Sequence, residues 1–191
     1  MSMQIEKLRQ YLYAAQVPQP DEVIRCFRPG SFARNTVLHR AGEICNTLYF
    51  IEKGCIRIYY ITEQGHEKTR HIAAEGAFIT ALSGFITQRP AFEFVETTEA
   101  SEVYMIGHAD FYRLVDTVPA WEKLYRSWLE QAYISQQEKI ESLVTLSAGE
   151  RYEQLRKANP QYMERLSSKT LASYLDITQE TLSRLKSKRL F

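Results

Sequence analysis

Residues Thr170 to Arg189, Thr-Leu-Ala-Ser-Tyr-Leu-Asp-Ile-Thr-Gln-Glu-Thr-Leu-Ser-Arg-Leu-Lys-Ser-Lys-Arg, read as two short helices joined at a tight corner. Leu171, Ala172 and Leu175 share one face of the first, and Leu182 and Leu185 share a face of the second. Small Ala172 suits the closest approach of two crossing helices, and Ile177 behind a corner at Asp176 supplies an apolar plug. That combination is the pattern of a helix-turn-helix. Ser168 is expected to cap the first helix and Thr178 the second, with Thr181 placed too early to be a capping-box partner. The second helix keeps Gln179, Glu180, Ser183 and Arg184 on its polar side and ends in Lys186, Lys188 and Arg189. Such a helix reads bases near its start and grips phosphates near its end.

The charge distribution agrees. The chain of 191 residues has a formal net charge of +1, but residues 147–191 hold nine Lys and Arg against five Asp and Glu. Residues 1–146 hold fifteen against eighteen. A basic C-terminal piece on an acidic body suits a DNA-binding head on a regulatory body. No run approaches the ~18 apolar residues of a membrane span, and the first thirty residues show no signal-peptide pattern, so a cytoplasmic protein is expected. Cys26, Cys45 and Cys55 are odd in number and lack metal-type spacing, and are read as free thiols.

Upstream, Ile5, Leu8, Leu12 and Ala15 have helical spacing, and a second helical stretch from Glu22 to Phe27 stops at Pro29-Gly30. The pattern then becomes strand-like, with turns at Gly42, Gly54, Gly65 and Gly76, about ten residues apart, which indicates an all-β roll or barrel. From Val118 the period is helical again. Pro119 fits a first-turn position, and no Pro or Gly interrupts the stretch before Gly149. Trp121, Leu124, Trp128, Ala132 and Ser135 form one stripe, and Ile140, Leu143 and Val144 continue an apolar side. A helix this long, carrying two tryptophans, is expected to meet a twofold partner along Leu124, Trp128, Ala132 and Ser135. Burial against its own roll is the competing expectation for Trp121.

Glu180-Thr181-Leu182-Ser183-Arg184 resembles the recognition-helix core of the CRP/FNR transcription regulators, although Asp176 stands where that family usually has glycine. Gly42-Glu43, Leu48 to Ile51 with Gly54, and the Gly65 turn resemble its cyclic-nucleotide-binding β-roll. The resemblance covers nearly the whole chain. It implies an α+β fold: a double-stranded β-helix or jelly-roll sensor domain over 1–117, a dimerisation helix over 118–148 and a helix-turn-helix head over 149–191 lacking a full wing. It implies a homodimer on double-stranded DNA with a twofold-symmetric site, with RNA polymerase as a further partner and no membrane. Gln179, Glu180, Ser183 and Arg184 become the base readers, and Lys169, Lys186, Lys188 and Arg189 the phosphate contacts.

Relatives that bind cyclic AMP use a glutamate for the ribose and an Arg-Ser pair for the phosphate. Those positions fall here on Ala81 and on Ala91-Phe92, with acidic Glu93 adjacent and Arg89 two residues early. Cyclic AMP and cyclic GMP are therefore disfavoured, and no cofactor is expected. Phe78, Leu82, Phe85, Phe92 and Phe94 are instead candidates to line an apolar effector cavity. The N-terminal region has only Cys26, too few thiols for an iron–sulfur cluster. A cupin-type metal enzyme is the main alternative, but His39, His66, His71 and His108 contain no His-x-His pair. A histidine-ligated haem sensor and a sensor or scaffold that has lost DNA binding are the others.

Overall fold

The computed structural model describes residues 5–187. Two short helices, α1 (Glu6–Ala14) and α2 (Pro20–Ile24), precede eight strands. The strands are β1 (Arg28–Phe32), β2 (Val37–His39), β3 (Thr47–Lys53), β4 (Ile56–Ile61), β5 (Glu67–Ala73), β6 (Phe78–Ile79), β7 (Phe94–Thr97) and β8 (Ser101–Gly107). Helix α3 (Leu82–Thr87) lies between β6 and β7 in sequence. After β8 come α4 (His108–Thr117), α5 (Pro119–Thr145), α6 (Ala148–Ala158), α7 (Pro160–Arg165), α8 (Ser168–Leu175) and α9 (Gln179–Ser187). The result is a mixed fold with a β-roll and one long helix.

The roll is two four-stranded sheets, ordered β1-β8-β3-β6 and β2-β7-β4-β5. Pro29-Gly30, expected to end a helix, lie instead in β1, paired antiparallel with β8 from Arg28↔Met105 to Phe32↔Ser101. Pro29 is tolerated because β1 is an edge strand, where a missing N–H costs no central ladder bond. The chain divides into two compact units. One holds the described residues up to Tyr60 with His71–Leu129, and the other Ile61–Arg70 with the described residues from Glu130. The division falls inside α5 and inside the β4–β5 hairpin.

In the first unit, Phe50 and Ile51 of β3, Ile56 of β4, Val95 of β7 and Ile106 of β8 are wholly buried. Trp121 of α5 is also 0% exposed, with its ring centroid 6.0 Å from Phe27, 6.1 Å from Phe78 and 5.6 Å from Phe111. Burying an aromatic of that size is among the largest single contributions to a core. Helix α1 borrows its cap from β3. The buried Glu52 carboxylate accepts from the backbone N–H groups of Glu6, Lys7 and Leu8 at 3.0, 2.7 and 3.2 Å. A carboxylate at a helix N-terminus satisfies orphan donors and opposes the positive end of the dipole.

Gly42, Gly54, Gly65 and Gly76 all have positive φ, as their turn positions suggested. Gly54 is the most constrained. At φ +106 a Cβ there would meet Ser101 Oγ at 2.3 Å and Ser101 Cα at 2.7 Å, whereas a Cβ on Gly65 would meet open space. Gly54→Ala is therefore expected to cost about 2 kcal/mol or more, and Gly65→Ala only about 1–2 kcal/mol. Urea denaturation of the two variants checks this, and equal losses would contradict it.

Candidate nucleic-acid interface

Helix α8 is capped by Ser167, whose hydroxyl accepts from the Thr170 N–H at 3.1 Å, one residue earlier than the expected Ser168. The helix stops at Asp176, which adopts the left-handed conformation with φ 54 and ψ 48. Asp occupies that region at lower cost than most residues, because its short polar side chain bonds locally. The Ile177 N–H returns to the Ala172 carbonyl at 3.0 Å, closing the corner. Thr178 then opens α9. The Thr181 N–H donates to its hydroxyl at 3.1 Å, and the two hydroxyls are 3.0 Å apart. Thr181 thus sits at the third helical position, not too early as the sequence suggested, and pairs with the cap by hydroxyl rather than carboxylate. Leu171 and Leu182 are 0% exposed, and Ala172 and Leu175 are 2% exposed.

With that face taken, Gln179, Glu180, Ser183 and Arg184 all lie on the exposed side of α9. Residues four apart on a helix are neighbours, so these four form one surface. Glu180 and Arg184 meet as an i,i+4 ion pair with side chains 74% and 72% exposed. An exposed pair of this kind is worth only about 0.3–0.5 kcal/mol, so either member is easily given to another partner. Lys186 is half-buried at the far end of the helix. Lys169 at the start of α8 is exposed and paired with Glu67. Lys188 and Arg189 lie outside the described residues.

Two residues that the sequence reading passed over hold the corner in place. Arg151 of α6 donates to the Leu175 carbonyl at 3.1 Å and to the Leu146 carbonyl at 2.7 Å. Lys139 of α5 donates to the Tyr174 carbonyl and lies 3.7 Å from the centroid of the Tyr174 ring. Cations on the terminal carbonyls of α8 answer both its unsatisfied acceptors and the negative end of its dipole. The break before α6 comes at Ser147, not Gly149. Ser147 and Glu150 form a reciprocal capping box, and Gly149 lies inside the helix.

The five aromatic and aliphatic candidates for an effector cavity are not brought together. Phe78 packs on Phe50 and Trp121, and Phe85 on Phe111 and Tyr112. Phe94 stacks on Tyr59, Leu82 is half-buried in α3, and Phe92 is 86% exposed. Phe92 sits at a bend between buried Ala91 and buried Glu93 and faces solvent. The α5 stripe also divides. Leu124 is 9% exposed, packed in the core of the first unit, and Trp128 is half-buried beside Phe78 and Tyr125. Ala132 is half-buried and Ser135 exposed. The large exposed apolar residues of α5 are Tyr133, Ile134, Ile140, Leu143 and Val144. Among the described residues, no three His, Cys, Asp or Glu are grouped to hold a metal, and no helix is long and apolar enough to cross a membrane.

Burial, followed by the nearby Arg151 charge, lowers the Lys139 ammonium from the ordinary 10.5 to about 8, against the pull of Asp176. Between those values the unfolded chain binds more protons, so this lysine makes stability rise with pH across the window. The expected outcome is that the rise from pH 8 to 10.5 is steeper in the wild type than in Lys139→Met. Denaturation at stepped pH checks it, and superimposable curves would contradict it.

The cyclic nucleotide-binding domain family matches residues 29–118, which span the roll from β1 to α4 and its following linker. The fumarate and nitrate reduction regulatory protein of Vibrio cholerae (serotype O1) is 26% identical over 187 residues, covering 91% of this chain and 72% of that protein. The cAMP-activated global transcriptional regulator CRP of Escherichia coli O157:H7 is 30% identical over 87 residues, covering 46% of this chain and 41% of that protein. Among solved structures, FixK2 from Bradyrhizobium japonicum superposes with a TM-score of 0.73 at 14% identity, over 85% of this chain and 83% of that one. The chain thus carries a cyclic nucleotide-binding domain and is similar, along most of its length, to the FNR-type members of the CRP/FNR transcription regulators.

Proposed function

We propose that this regulator is a homodimer that reads a twofold-symmetric site in double-stranded DNA through a helix-turn-helix formed by α8 and α9. The observation that carries the reading is the solvent-facing quartet Gln179, Glu180, Ser183 and Arg184, set on a helix whose opposite face is sealed by Leu182. Arg184 offers two donors to guanine O6 and N7, and Glu180 accepts from a cytosine amino group. Gln179 and Ser183 tune adjacent bases. Lys169 and Lys186 contact phosphates, which fixes register without reading sequence.

The dimer surface is the exposed apolar side of α5. Tyr133, Ile140 and Val144, at 66%, 55% and 80% exposure, are spaced seven and four residues apart and so share one helical face. That face is rotated away from Leu124 and Trp128, which the first unit uses for its own core. A second copy of the same helix buries the patch symmetrically and sets two reading helices on successive grooves.

The sensor roll does not favour a cyclic nucleotide. Ala81 and Ala91 are buried and carry no charge, and the buried Glu93 carboxylate accepts from the Tyr60 hydroxyl at 3.0 Å. Arg57 is engaged with Glu96 at 3.2 and 3.3 Å. A phosphate at the Ala91-Phe92 position would have the Glu93 carboxylate as its sequence neighbour and no cation of its own. Calorimetric titration is expected to show no binding of cyclic AMP, and micromolar binding would contradict this part of the reading.

Arg184→Ala is expected to lose about 1–3 kcal/mol of specific binding and to relax preference at one base position, whereas Lys186→Ala weakens all sequences alike and flattens the salt slope by about one. Fluorescence anisotropy on cognate and scrambled duplexes separates the two, and an unchanged base preference in Arg184→Ala would sink the docking geometry. Ile140→Glu is expected to give monomers by sedimentation and to abolish specific binding. A fully dimeric Ile140→Glu chain would rule out the α5 surface.

A further inference from the structure

The β4–β5 hairpin tip belongs to the same compact unit as the reading helices. Its turn is closed by the Thr62 N–H donating to the His66 carbonyl at 2.9 Å, and it meets α8 at several points. Glu67 pairs with Lys169, and Lys68 with Asp176 at the corner. Between these charges the Ser173 hydroxyl accepts from the Thr69 N–H at 2.7 Å and faces the Glu67 carbonyl at 2.9 Å and the Thr69 hydroxyl at 3.0 Å. Gly65 and His66 of the tip line a cleft of about 420 Å³ together with Thr178 and Gln179 at the start of α9.

Among the partners of this hairpin is a cation that a duplex would need. Lys169 is a phosphate contact in the function proposed above, and here its ammonium meets a carboxylate, an anionic oxygen acceptor like that of a phosphate. Gln179 is a base reader, and the hairpin tip stands across the cleft from it. We infer that the β4–β5 hairpin is a built-in competitor of DNA, with Glu67 acting as a phosphate surrogate on Lys169 and Ser173 as the latch that fixes the hairpin there. The inference rests on the DNA-binding reading and adds its regulation.

The strengths involved suit a switch. The Lys68–Asp176 pair is exposed and the Lys169–Glu67 pair half-exposed, so each is weak, and the hydrogen bonds at Ser173 are half-buried and add a modest amount. A latch of that size delays binding by a factor a duplex overcomes, and any event that displaces the hairpin tightens DNA binding by the same factor.

The test is a two-by-two set of full-length chains: wild type, Glu67→Gln, Lys169→Ala and the double variant. Each is titrated with one selected duplex, and Glu63→Gln serves as a control for removing a carboxylate from the same tip. Glu67→Gln is expected to bind about 2- to 5-fold tighter than wild type, the size of a released ion pair. The gain should vanish in the Lys169→Ala background, and Glu63→Gln should not reproduce it. Amide exchange at Thr69, slow in the free protein because its N–H is bonded to Ser173, should accelerate at saturating duplex. An equal gain in both backgrounds, no gain at all, or unaltered Thr69 exchange would overturn the inference while leaving DNA binding intact. A wild-type chain that binds no duplex would remove the DNA-binding reading and this inference with it.

Discussion

The corner between α8 and α9 depends on a small apolar contact: Leu171, Ala172, Leu175 and Leu182, none more than 2% exposed. At about 25 cal/mol per Å² of buried apolar surface, these four side chains outweigh the order of 1 kcal/mol that left-handed Asp176 costs. Once that face is committed, helical geometry leaves the polar side of α9 facing water. The display of Gln179, Glu180, Ser183 and Arg184 is thus a consequence of packing. Arg151 and Lys139 finish the arrangement by satisfying carbonyls at the end of α8 that the corner would otherwise strand.

The roll solves a different problem with different means. Its sheets are sealed by aromatic side chains from outside the sheets, chiefly Trp121 of α5 and Phe111 of α4. Glu52 uses a buried carboxylate to fasten α1, which has no side-chain cap of its own. Buried charges are tolerated where they are paired, as with Arg57 and Glu96, whose side chains are 7% and 11% exposed.

Much of this was legible in the sequence where one local rule governs. Helical period located α5 and α9, and turn glycines marked the roll, with Gly42, Gly54, Gly65 and Gly76 all at positive φ. The failures have separate causes. Pro29-Gly30 read as a break because the rule against proline in strands is relaxed at an edge, and edges are a property of the sheet, not of the segment. Helix α4 was absorbed into the stretch before Val118 although Phe111 and Leu114 have helical spacing and are buried. The Ser147–Glu150 capping box has a local signature in the letters, and it rather than Gly149 sets the start of α6. Two members of the expected α5 stripe, Leu124 and Trp128, pack on an internal core, and periodicity cannot tell one apolar neighbour from another. Lys139 and Arg151 had no sequence signal, since a long side chain reaching a distant carbonyl leaves no pattern.

The central claim is that two copies of α9 read DNA together. Selection of bound sequences from a pool of random duplexes, using the purified full chain at low salt, tests it most directly. The account predicts enrichment of an inverted repeat whose half-site centres are one helical turn, roughly 34 Å, apart. Recovery of no enriched sequence, or of a single asymmetric motif bound by one copy of the chain, would contradict it.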